Sequence, residues 1–142
     1  MAAIASLTIS STHWAAMHRH VAAEAPLEAC GLVAGQDHQS LAVFPVTNEL
    51  HSPTAYRFAP QEQLDLFLRF EKEGWDLLAI YHSHPAGPEI PSRTDIAQAA
   101  YPDSVYLIWS KIEANWQCRG FIIEAQQVTE IPIEIHPHSM VS

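Results

Sequence analysis

From Ser10 to Ala25 the residues Trp14, Met17, His18, Val21 and Ala25 recur at intervals of three and four, the period of one helix face, with Ser and Thr ahead of them as caps. Pro26 stops that helix. The pattern then changes. "LEACGLVAG" (27–35) and "SLAVFPV" (40–46) are short apolar runs separated by the polar "QDHQ", which predicts two strands joined as a hairpin. The turn-rich "TNELHSPTAYRFAP" contains a strand-like stretch at Tyr56–Phe58. Pro60 opens a second helix with Leu64, Phe67 and Leu68 on its apolar face and Gly74 at its end. The first half therefore reads αββα.

"DLLAIYH" (76–82) is apolar without alternation, as expected of a central strand covered on both faces. Ser92 to Tyr101 predicts a third helix stopped near Pro102. "SVYLIWS", "WQCRGFIIE" and "QVTEIPIEI" predict three more strands, and "HPHSMVS" (136–142) a loose tail. No repeat, low-complexity tract or linker interrupts the pattern. One domain over 1–142, with a core of about 5–135, is expected to form one mixed β-sheet with packed helices, an α/β or α+β architecture. At 142 residues, roughly two thirds of the unfolded chain's surface is buried on folding, enough for a full core.

Composition narrows the function. With 48% apolar and 16% charged residues, and no apolar run near the ~20 needed to cross a bilayer, the chain reads as an ordinary globule with no membrane span. Its N-terminus lacks the cationic start and apolar stretch of a secretory signal, so the cytoplasm is the expected compartment. Seven Lys plus Arg against 16 Asp plus Glu give a net charge of −9, which repels a phosphate backbone and argues against nucleic acid. Cys30 and Cys118 lie far apart without a CxxC, so neither a disulfide framework nor a thiolate zinc site is expected; both read as reduced and buried.

The chemistry concentrates in "YHSHPAGPEIPSRTD" (81–95). Side chains alternate along a strand, so His82 and His84 project to one side with Cα atoms about 6.5 Å apart, and two imidazoles can reach one ion. Ser83 between them points the other way. Pro85, Gly87, Pro88 and Pro91 restrict the return of the chain, which delivers Ser92 as a helix cap and Asp95 into the first turn. There a carboxylate can be the third ligand of a zinc that keeps a fourth position open. The plainer alternatives remain at this point: S-x-x-D is also a capping arrangement, and H-x-H is unremarkable in a chain with nine histidines. The conjunction at the carboxyl end of a buried strand is what favours a site.

Hydrolysis at such a site also needs a general base. Glu28 is the candidate, a carboxylate opening an otherwise apolar strand, where a charge is costly unless it faces water at a solvated end. Glu24, in the helix, and Glu49, in a turn-rich loop, are poorer choices. His136 and His138 form a second H-x-H around Pro137 with no carboxylate nearby. His18 and His20, two apart, cannot share a helix face. His51 and Asn48 read as loop residues that border a groove or simply shape the loop, and Cys30 as a packing residue near Glu28.

Glu28, "HSHP" from His82 and "SRTD" from Ser92 together resemble the JAMM (MPN+) metalloprotease signature. "PLEACGLVAG", "TNELHSPTAYRFAP" and "VYLIWS" extend the likeness to the small stand-alone prokaryotic members over roughly residues 10 to 125. The resemblance implies a cytidine-deaminase-like (JAB1/MPN) α/β sandwich. It implies zinc held by His82, His84 and Asp95 with water as fourth ligand, Glu28 passing the water's proton to the departing amine, and Ser92 hydrogen-bonding the oxyanion. It also implies the substrate: a ubiquitin-like, sulfur-carrier type protein ending in Gly-Gly, from which a C-terminal group is cleaved. The alternatives are a zinc hydrolase of small amide conjugates and a non-catalytic scaffold of the same fold. A zinc nucleoside deaminase requires H-x-E followed by P-C-x-x-C, and neither occurs.

Overall fold

Eight strands share one sheet in the order β7-β6-β5-β4-β2-β3-β1-β8. The structure, a computed structural model, describes residues 5–137. In chain order the elements are β1 (Leu7–Ser10), α1 (Ser11–Glu24), β2 (Cys30–Gln36), β3 (Gln39–Val46), α2 (Pro60–Glu73), β4 (Asp76–His84), α3 (Arg93–Gln98), β5 (Val105–Ile112), β6 (Asn115–Glu124), β7 (Gln127–Ile131) and β8 (Ile133–His136). β4 lies inside the sheet as its apolar run predicts, antiparallel to β2 and parallel to β5, with α3 in the crossover. No helix among the described residues is long and apolar enough to cross a membrane.

α1 and α2 form where their end signals predict. Ser10 caps α1 by accepting from the His13 N–H, and Gly74 ends α2 in the left-handed conformation, donating its N–H back to the last turn. Several expectations are corrected. β1 precedes α1, a strand of four residues too short to announce itself. β2 begins at Cys30, so Glu28 stands just ahead of the strand rather than in it. α3 stops at Gln98 instead of reaching Tyr101.

"QVTEIPIEI" forms two strands, because Pro132 has no N–H to give a ladder. β7 pairs with β6 at one edge, and β8, one residue later, pairs in parallel with β1 at the other. A sheet whose two edge strands are joined by a single residue must curl until its edges meet. His136 therefore closes β8, while His138 lies outside the described residues. On α2, Leu64 and Leu68 are exposed and Phe70 is the buried residue. Cys30 is buried, but Cys118 only partly.

Alternation divides the core between the two faces of the sheet. Ala79 and Tyr81 of β4 and Val33 of β2 pack under α1 with Met17 and Val21. Ile80 of β4 and Cys30, Leu32 and Ala34 of β2 pack against Phe70 of α2 and Ile96 of α3. One contact across this arrangement is unusually close. A Cβ placed on Gly31 would run into the ring of Tyr81, directly opposite it in the β2–β4 register. Gly31→Ala is expected to lower stability by about 1–3 kcal/mol, the usual cost of overpacking a filled core. Urea unfolding measures it, and an unchanged midpoint would show that the ring moves aside freely.

Candidate active site

His82 and His84 occupy the end of β4 on the face shared with α2 and α3, and Ser83 lies on the opposite face, where its Oγ accepts from the Ala29 N–H at 2.8 Å. The β2–β4 register puts Cys30 opposite His82, and the Ser83 N–H donates to the Ala29 carbonyl one step further on. Continuing that register by one more residue sets Glu28 against His84 on the same face. The pairing of β2 with β4 thus brings the carboxylate just ahead of β2 to two imidazoles more than fifty positions further along the chain.

The third group arrives through the loop. Its Pro88 carbonyl accepts the Nδ1–H of His84 at 2.8 Å, which assigns that proton and leaves the Nε2 lone pair facing inward. At the start of α3 the Ser92 Oγ accepts from the Asp95 N–H at 3.0 Å, and Asp95 Oδ2 accepts from the Ser92 N–H at 2.8 Å, a complete capping box. The same Asp95 Oδ2 lies 3.1 Å from the Nε2 of His82 and 3.1 Å from that of His84, and the two nitrogens are 3.0 Å apart. Capping and convergence are therefore properties of one arrangement: the cap fixes the carboxylate that faces the imidazoles.

This triangle fits a small divalent cation. Two ring nitrogens and a carboxylate oxygen converge with little but ring protons to place between them, and a cation satisfies all three. Donors of a tetrahedral zinc with bonds of about 2.0 Å stand about 3.3 Å apart, within a few tenths of the spacing here. His82 and His84 also form a wider group with Glu28, whose ligand atoms all lie within 4.8 Å of one another. Of the two carboxylates flanking the imidazoles, Asp95 is the tight partner and Glu28 the looser one, with room left beside it.

Burial opposes ionisation of Asp95, but the hydrogen bonds of His82, His84 and the Ser92 N–H outweigh it and hold the carboxyl well below the usual range. Burial keeps His82 toward its neutral form, stacked on the Tyr56 ring with centroids 4.4 Å apart. Burial also lowers the pKa of His84, but its hydrogen bonds to Asp95 and the Pro88 carbonyl raise it further. Glu28, only 4% exposed, is pushed up to about 7, chiefly by burial.

A carboxyl whose folded pKa lies above its ordinary 4.5 contributes stability fully at low pH and loses it as pH rises through the folded value. The metal-free Glu28→Gln protein is accordingly expected to be more stable than the parent at pH 8, by up to about 3 kcal/mol for a shift to about 7, and no more stable below pH 4.5. Denaturant unfolding at the two pH values reads the difference. Equal stability at pH 8 would show that Glu28 is solvated.

Glu28 also lines a cleft with Asn48 and His51, so both of those residues border it. Asn48 shapes the loop as well: its side chain donates to the Glu28 and Ala55 carbonyls and accepts from the Leu50 and Arg57 N–H groups. Glu49 pairs with Arg57 instead of turning to the site. His18 stacks on Trp109, and His136 lies near Glu134 at the sheet edge. Sequence reasoning missed Tyr56, the Pro88 carbonyl and His20, which reaches the cleft from α1. Only the aromatic Tyr56 within a polar loop carried a signal.

A family model described as prokaryotic homologs of the JAB domain matches residues 10–120. The CysO-cysteine peptidase of Mycobacterium tuberculosis is 36% identical over 123 residues, 84% of each chain. The probable TtuB-protein conjugate cleaving protease of Thermus thermophilus is 46% identical over 83 residues, 58% of this chain and 55% of that one. A solution structure of a protein from Desulfitobacterium hafniense superposes with TM-score 0.82 at 32% identity, covering 93% and 94% of the two chains. A JAB1/MPN domain protein from Archaeoglobus fulgidus has TM-score 0.60 at 15% identity, covering 92% and 99%. The mixed sheet with packed helices expected from the sequence is the JAB1/MPN fold.

Proposed function

The chain belongs to the prokaryotic JAB family, and from that premise we propose that it is a zinc-dependent peptidase or isopeptidase. Its substrate is the amide bond at the C-terminus of a ubiquitin-like protein of the sulfur-carrier type, ending in Gly-Gly. The relatives named for cleaving a CysO–cysteine bond and TtuB–protein conjugates support a hydrolase acting on such bonds. The observation that carries the metal dependence is the 3.0–3.1 Å triangle of His82, His84 and Asp95. These three residues would hold the ion. When bound, zinc would act as a Lewis acid at the scissile carbonyl and acidify the attacking water.

The chain's own groups do the rest. Glu28, beside the triangle and with a pKa pushed up by burial, accepts a proton from the attacking water as its oxygen bonds to the carbonyl carbon. It then gives a proton to the nitrogen as the C–N bond breaks, so carboxylate and amine leave and Glu28 is regenerated. The Ser92 hydroxyl is oriented by the Asp95 N–H that it accepts, which leaves its own proton to donate to the oxygen that becomes negative. The Pro88 carbonyl and the capping box keep His84 and Asp95 in place between turnovers.

Mass spectrometry of a sulfur-carrier protein with a C-terminal extension tests this reading. Zinc-loaded protein is expected to trim the extension after Gly-Gly, and chelator-treated protein to regain that activity only on addition of metal. Trimming that survives complete metal removal, or an intact extension with one zinc bound per chain, would overturn it.

A further inference from the structure

Beside Glu28 opens a cleft of about 190 Å³ whose lining includes none of His82, His84, Ser92 and Asp95. Helix α1 contributes His20 and Glu24, four residues apart and so on one face. The chain after β3 contributes Thr47, Asn48 and His51, and the first turn of α2 contributes Glu62. The walls are fixed from behind: Glu62 accepts the Thr47 N–H at 2.9 Å, and Nδ1 of His20 lies 2.7 Å from the hydroxyl of buried Tyr81. Three carboxylates line the cleft, with no lysine or arginine among them. Glu28 is buried to 4% exposure, and its carboxylate has no hydrogen-bond partner among the described residues.

We propose that this cleft is the leaving-group subsite, and that it selects an amine with no carboxylate beside it, the side chain of a lysine in a conjugated protein, over a single amino acid with a free α-carboxylate. The inference rests on the reading of Glu28 as the proton carrier. A group that protonates the departing nitrogen must hydrogen-bond it, so whatever the nitrogen carries extends past Glu28, which lines the cleft where Ser92 does not. That space is the cleft. A single amino acid would set its carboxylate a few bonds from Glu28, in a cleft lined by Glu24 and Glu62 without a lysine or arginine to receive it, and like charges so placed are strongly disfavoured. Burial keeps His20 toward its neutral form despite the pull of Glu24, so it offers no compensating charge. A lysine side chain brings only methylenes and, once released, a cation that the carboxylates attract.

Two matched substrates separate the charge from everything else. A sulfur-carrier protein ending in Gly-Gly is joined to alanine in one and to alaninamide in the other. The zinc-loaded protein is expected to cleave the alaninamide conjugate with kcat/KM about tenfold higher or more. In Glu24→Gln/Glu62→Gln the gap is expected to close to about twofold, by a gain on the alanine conjugate; glutamine at 62 keeps the bond from Thr47. Equal rates, or a preference for alanine, would overturn the subsite assignment and leave the hydrolase standing. No cleavage of either conjugate would remove both. Independently of metal and carrier, Nα-acetyl-lysinamide added to the metal-free protein is expected to shift the ring signals of His20 and His51 in NMR spectra. Nα-acetyl-alanine is not, and the double variant is expected to lose the response. Equal shifts with both probes, or none with the lysine probe, would count against the cleft as an amine site.

Discussion

Glu28→Gln is expected to bind zinc as tightly as the parent and to lose turnover by about 10³-fold or more. General acid–base catalysis at one step is worth about 10²–10⁴ in rate, and this side chain serves twice, taking a proton from water and giving one to the amine. Glutamine keeps the size and polarity of the residue and removes only the site for the proton. Because Glu28 is the looser of the two carboxylates, within 4.8 Å of the imidazoles where Asp95 sits at 3.1 Å, its loss leaves the tight donors in place. Zinc titration with kcat and KM measured on the same preparation checks it. Undiminished kcat would remove Glu28 from the reaction, and lost zinc would make it a ligand. Together with the stability gain expected at pH 8, the substitution trades function for stability at one buried charge.

Asp95→Ala is expected to weaken zinc binding by at least about 100-fold and to abolish hydrolysis at stoichiometric metal. Here one atom has two employments. Asp95 Oδ2 faces both imidazoles and accepts the Ser92 N–H, so its removal takes away the anionic donor and half of the capping box. The cap alone is worth about 1 kcal/mol, small beside the metal's share. A competition titration with a chromogenic chelator separates the two: lost affinity in a protein that still unfolds cooperatively assigns the effect to the donor. Affinity equal to the parent's would mean that zinc sits elsewhere.

The site was legible in the sequence because its spacing carried geometry. H-x-H on a strand can only place both rings on one side, and a Pro-rich return into S-x-x-D can only deliver a capped helix start next to it. From sequence the cap and the ligand were alternatives; in the structure one oxygen of Asp95 both closes the capping box and faces the imidazoles, so the proposed ligand role does not compete with the cap. The cleft was less legible. His20 reaches it through a hydroxyl on β4, sixty-one positions away, and Gly31 is small because Tyr81 must pass over it; such contacts between strands and helices leave no periodic trace.

The fold's omissions have similar causes. β1 is four residues long and β8 another four; β1 is held between β3 and β8, and β8 is a strand because β1 lies beside it. Nothing local in "LTIS" or "IEIH" shows that pairing, and Pro132 alone marks where one predicted strand becomes two. On α2 the i, i+4 pair Leu64 and Leu68 suggested the buried face, while packing instead buries Phe70 beside Phe44 and Trp75.

The central claim is that one divalent cation sits between His82, His84 and Asp95 with a coordination position left for water. A crystal structure of the zinc-loaded protein with anomalous data at the zinc edge measures this directly. The account predicts a single anomalous peak bonded to Nε2 of His82, Nε2 of His84 and one oxygen of Asp95, with Glu28 unbonded beside it. A peak at any other set of residues, or none at full zinc occupancy of the solution, would contradict it.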